Sequence, residues 1–117
     1  MKIAIPTDNR KGLDDTVARH FGRCQTYTFL NEKGEILEII DNTSEDNGGR
    51  DLPPELIKRC GADILLCRDI GPKAITLSKN LGIEIYIGQA ETVKEMLDIW
   101  KDNKISRAGQ ENACTHI

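Results

Sequence analysis

The sequence predicts an α/β protein: a mixed five-stranded sheet with helices on both faces, three layers in all. Two β-rich runs, Thr26–Leu30 and Glu35–Ile40, flank the polar Asn31-Glu32-Lys33-Gly34, the pattern of a hairpin. From Asp51 onward, amphipathic stripes alternate with short apolar runs, the rhythm of strands joined by crossover helices. At 117 residues the chain has room for one core.

The first strand is Lys2–Ile5, stopped by Pro6. From Thr7 to about Gly22 no periodicity is visible, and a connection that long inside a compact domain is often functional. This segment and Asn42–Arg50 are polar and contain glycine, so both are expected to be mobile. Asp51 is placed to cap a helix whose first turn holds Pro53 and Pro54, with Leu52, Leu56, Ile57 and Cys60 as its stripe and Gly61 as its stop. Asp63–Cys67 is a short strand, continuously apolar from Ile64, as expected when both faces are covered. Gly71-Pro72 opens a helix with Ala74, Ile75, Ser78 and Leu81 on one face, closed by Gly82. Ile83–Ile87 is the next strand. Thr92 and Glu95 form a capping box, followed by Val93, Met96, Leu97 and Trp100 at i, i+3, i+4, i+7. Periodicity ends after Lys104, so the domain spans 1–104 and 105–117 is expected to be a mobile tail.

Helix-joined strands pair in parallel through right-handed crossovers, whereas a hairpin pairs antiparallel. The simplest sheet puts the first strand in the middle, giving the order 3-2-1-4-5. Chain direction then diverges between strands 1 and 4, and a ligand crevice opens beyond their carboxyl ends. The loop after Pro6 and Arg68-Asp69-Ile70-Gly71 would line it.

Leu, Ile, Val and Phe make up 29 of 117 residues, above the roughly 20% floor associated with disorder. Sixteen basic against 19 acidic residues leave a net charge of −3. No global positive field draws nucleic acid or an anionic membrane. Apolar runs such as Ile64–Cys67 are far too short to span a bilayer, and the first residues do not read as a signal peptide. A cytoplasmic protein is expected, as a monomer or weak homodimer. Cys24, Cys60, Cys67 and Cys114 are scattered with no C-x-x-C pair, so spacing indicates neither a disulfide framework nor a zinc ribbon.

Chemistry-bearing residues concentrate at the expected crevice. Arg19-His20-Phe21-Gly22-Arg23-Cys24 carries two guanidinium groups, an imidazole and a thiol. Strand 4 ends in Cys67-Arg68, and the next helix opens at Gly71-Pro72-Lys73 with a terminus suited to an anion. Arg19, Arg23, Arg68 and Lys73 would form a cationic patch, and thiol and imidazole beside it suit a metal held in an anionic cluster. Spacing alone leaves a buried histidine, apolar thiols and solvated arginines as the other account.

Met1-Lys2-Ile3-Ala4-Ile5-Pro6-Thr7-Asp8, His20-Phe21-Gly22-Arg23 and Ile70-Gly71-Pro72-Lys73-Ala74 resemble the dinitrogenase iron–molybdenum cofactor binding family over Met1 to about Trp100. The resemblance implies a ribonuclease H-like α/β/α fold and a non-catalytic protein that binds or carries an iron–sulfur or iron–molybdenum–sulfur cluster, with donor and acceptor proteins as partners. His20, in the matching motif, and Cys24 and Cys67, from their positions along the same expected crevice, are the expected metal ligands, with Arg23, Arg68, Gly71 and Lys73 as the cofactor-binding residues. Where relatives carry a His-Gly-Gly element, this chain reads Asn47-Gly48-Gly49, without the second imidazole. Cys114 and His116 resemble the Cys/His-bearing tails of some relatives, with an inert tail as the expectation.

Two other functions compete. A metal-dependent nuclease needs carboxylates converging at the sheet centre, yet only Asp8 and Asp69 lie near the strand ends. A nucleotide or phosphate binder would use Gly48-Gly49 and Gly71-Pro72, but neither G-x-G-x-x-G nor a Walker A run is present.

Overall fold

The computed structural model describes residues 1–44 and 51–107. Its strands are β1 (Ile3–Thr7), β2 (Thr26–Leu30), β3 (Ile36–Asp41), β4 (Ile64–Cys67), β5 (Glu84–Ile87) and β6 (Ser106–Arg107). The helices are α1 (Pro53–Arg59), α2 (Pro72–Asn80) and α3 (Val93–Lys101). They build one mixed sheet of order β3-β2-β1-β4-β5-β6. β1 is central, antiparallel to β2 and parallel to β4.

Period-two alternation sorts the apolar side chains onto two faces. Ala4, Phe29, Leu65 and Ile85 meet Leu56 and Ile57 of α1 and Ile75 of α2. Ile3, Ile5, Ile64 and Leu66 meet Val93, Met96 and Leu97 of α3. The hairpin turn is fixed by Asn31, whose Oδ1 accepts from the N–H groups of Lys33 and Glu35. Gly34 there has φ +86°, a conformation that favours glycine. The Thr92–Glu95 capping box at α3 forms as expected.

Several boundaries differ from the sequence expectation. β1 runs through Pro6 to Thr7; its pairing with β4 ends at Ala4, so the missing proline N–H costs no bond to that strand. Leu52, not Asp51, is the N-cap of α1, because two prolines at N1 and N2 hold the preceding residue extended. Leu52 N–H donates to Glu55, while Asp51 pairs with Arg59 instead. A sixth strand joins the five. Asn103, at φ +57°, helps reverse the chain after α3, and Ser106–Arg107 then pair antiparallel with β5. Ser-Arg carries no apolar pattern that would announce a strand, and Arg107 is held by Glu84 at 3.1 Å. Residues 105–107 are thus part of the fold, and the rest of the expected tail lies outside the described residues, as does 45–50 of the second loop.

The segment Thr7–Gly22 buries more than its composition suggests. Val17, Ala18 and Phe21 are buried, and Val17 and Thr16 bridge to Thr7 and Thr92. The fully buried Asp15 organises the turn before them: its carboxylate accepts from the backbone N–H groups of Asn9, Lys11 and Thr16 at 3.1, 3.2 and 2.8 Å. Replacing a buried acceptor strands its donors, at about 1–3 kcal/mol for such a group. Asp15→Ala should therefore lower stability by about 2–4 kcal/mol, read as the urea midpoint, with Asp15→Asn recovering part. A loss below about 0.5 kcal/mol, the range of ordinary surface substitutions, would show that the loop stands without this acid.

Candidate functional site

Two loops meet beyond the carboxyl ends of β1 and β4. Ala18 N–H donates to Pro6 O at 2.8 Å, holding the first loop against the end of β1. Phe21 N–H donates to Asp69 O at 3.0 Å, joining that loop to the one after β4. Asn42 secures the far side, its Nδ2 donating to Gly22 O and Cys24 O, both at 2.9 Å. His20 is thereby delivered to Asp69, with Nδ1 2.9 Å from Oδ2. A carboxylate only accepts, so Nδ1 carries the hydrogen and Nε2 is the nitrogen left for a ligand.

On one side of this pair lies a cleft of about 770 Å³. His20, Arg23, Asp69, Gly71 and Lys73 line it, and Leu52, Pro53, Pro54 and Leu77 make it largely apolar. The N-terminus of α2 opens into it. Pro72 at N1 has no N–H, and the first intrahelical bond is Ile75 N–H to Gly71 O, so Lys73 and Ala74 keep backbone donors without a helical acceptor. Gly71 has an ordinary φ of −76°, and a Cβ there would meet nothing within 4 Å. The protein itself does not require glycine at this point.

On the other side of the His20–Asp69 pair is a smaller hollow of about 390 Å³, lined also by Arg19, Arg68 and Gln89. The expected cationic patch is thus divided. Arg23 and Lys73 belong to the cleft, whereas Arg68 faces away from it, beside Arg19.

The two cysteines depart furthest from expectation. Cys67 shares a face of β4 with Leu65, so alternation sends it beneath the helices, and Cys24 joins the same cluster. Neither lines the cleft. Burial pushes the Cys24 thiol up to about 11 and the Cys67 thiol to about 12. Both are protonated packing groups here, and the expected His20–Cys24–Cys67 ligand set does not assemble. Among the described residues no three His, Cys, Asp or Glu side chains come together as a metal site. Asn47, Cys114 and His116 lie outside the described residues.

A family model for the dinitrogenase iron-molybdenum cofactor matches residues 1–103. The chain belongs to that family. It is 33% identical over 112 residues to an uncharacterised protein of Methanocaldococcus jannaschii, covering 92% of this chain and 91% of that one. Its fold is similar to the apo form of the orange protein from Desulfovibrio gigas, with TM-score 0.81 and 23% identity over 92% of each chain. A NifB-type protein from Thermotoga is similar at TM-score 0.72 and 22% identity, over 91% of each chain.

Sequence reasoning missed three contributors. Asp69 orients the imidazole, but a lone loop acid carries no signal. Asn42 ties the loop down from 18 residues beyond Cys24. The α1 prolines read as helix starters and also wall the cleft. No helix among the described residues is long and apolar enough to cross a membrane.

The thiol assignment is checked by labelling. At pH 8 a thiol titrating near 11 or 12 is about one part in a thousand thiolate or less. In a Cys114→Ser chain, a thiol reagent should therefore modify the partly exposed Cys60 and leave Cys24 and Cys67 unlabelled until unfolding. The raised native values also set a sign. Folding favours the protonated thiols, so their contribution is whole below the ordinary thiol value of about 8.5 and is lost as pH rises toward 11 and 12. Prompt labelling of either buried thiol at pH 8 would refute the placement.

Proposed function

We propose that this protein is a non-catalytic carrier that holds an anionic metal–sulfur cluster, of iron–sulfur or iron–molybdenum–sulfur type, as cargo in the cleft beside His20. The observation that carries the reading is the donor set. Among the described residues, one imidazole, two cations without a carboxylate partner and a helix N-terminus meet in a largely apolar cleft that no thiol lines. A bare metal ion would find too few ligands there. A preassembled cluster brings its own sulfides, and asks of the protein charge compensation, one coordinate bond and an apolar wall. Family membership supports this reading. The donor and acceptor proteins it implies are part of the proposal. Among the described residues the nuclease alternative lacks its carboxylate set, since no three acidic or other metal-ligating side chains come together.

Anaerobic reconstitution, read as iron and sulfide bound per chain, tests the reading. His20→Ala should weaken loading by about tenfold or more, the scale of disturbed metal ligation. Gln at Arg23 and Lys73 together should cost less, and should flatten the dependence of loading on salt, since exposed charges are screened over about 10 Å at 0.1 M. Full loading of His20→Ala at every salt concentration would sink the assignment of the cluster to this cleft.

A further inference from the structure

The arginines among the described residues fall into two groups. Arg10, Arg59 and Arg107 are each paired with a carboxylate. Arg19, Arg23 and Arg68 have none among the described residues, although the chain as a whole is acidic. Arg23 belongs to the cleft. Arg19 and Arg68 instead face the smaller hollow on the far side of the His20–Asp69 pair, together with Gln89.

We propose that this hollow is a second, separate binding site, and that its ligand is a small tetrahedral oxyanion of the phosphate class. Three polar side chains reach the hollow from three different parts of the chain: Arg19 from the loop after β1, Arg68 from the end of β4, and Gln89 from the turn after β5. A planar carboxylate offers two oxygens and is served by one guanidinium fork. Donors arriving from three directions suit an anion with four oxygens. Arg68 is half-buried, and its Nε is shut off from solvent without an acceptor. Its head is therefore pre-positioned, and a rigid guanidinium loses less freedom on binding than an extended surface side chain. Gln89 is steadied as well, its Nε2 donating to Arg68 O at 3.2 Å, and its second amide hydrogen remains for a ligand. Among the described residues the one acid lining the hollow is Asp69, whose Oδ2 already accepts from His20.

The site is separate from the cluster cleft, so it can be tested on the apo chain with inorganic phosphate as the probe. In a heteronuclear titration at low ionic strength, phosphate should saturate with millimolar affinity. The perturbed signals should centre on the side chains of Arg19, Arg68 and Gln89. Acetate at equal ionic strength should bind at least tenfold more weakly. Arg68→Gln and the Arg19→Gln/Arg68→Gln double variant should lose tenfold or more, with dispersed spectra showing that they fold. Arg10→Gln, remote and paired with Asp41, should bind as the parent does. The proposal is overturned if chloride at equal ionic strength reproduces the shifts, if the shifts centre on Lys73 and Arg23, or if the folded double variant keeps its affinity. None of these readouts depends on cluster loading, so this site and the carrier reading fail separately.

Discussion

A single buried carboxylate sets the path of the chain from the central strand to the site. Asp15 gathers three backbone N–H groups with its side chain, and its own carbonyl accepts from Val93 N–H at the start of α3. The exit of β1 and the entry of α3 are thereby fastened at one point, on the face opposite α1 and α2. Everything downstream inherits that geometry. Val17 and Ala18 can enter the core only if the preceding turn is closed, and His20 stands beyond them, a few residues from where the loop crosses to β4. A buried charge is costly unless its lone pairs are used, and here the neighbouring backbone uses them.

The sheet was legible because its signals are local and mutually consistent: a hairpin turn with glycine at the left-handed position, proline-started helices, and a capping box before a strict apolar stripe. These place β1 in the centre without further information. β6 was not legible, since two polar residues at an edge are held by backbone pairing and one ion pair. The cap of α1 was misread because side-chain chemistry favoured Asp51, whereas the backbone restriction imposed by Pro53 selected Leu52.

Site residues were legible as a neighbourhood and not as an arrangement. Arg19, Arg23, Arg68 and Lys73 read as one patch, and the structure splits them at the His20–Asp69 pair. Cys67 shows why. Its position at the carboxyl end of a strand places it near the crevice, but period-two alternation, which also acts on Leu65, turns its side chain beneath the helices. Proximity along the strand and direction from the strand are separate questions, and only the second decides whether a sulfur can reach a ligand.

On the proposed reading, selectivity follows from the distribution of charge. A chain of net charge −3 repels anions at long range, but beyond roughly 10 Å at ordinary ionic strength that field is screened. What an arriving anion meets is local. Elsewhere on the surface, carboxylates occupy Arg10, Arg59 and Arg107; at this end His20 occupies Asp69, and the cations have no carboxylate partner among the described residues. A diffuse basic surface would collect polyanions of every kind. Positive charge confined to the mouth of an apolar cleft and to a hollow beside it favours ligands small enough to bring their charge inside. Asp69 is what makes this division possible, since without it the imidazole would have no fixed direction and the cleft and the hollow no wall between them.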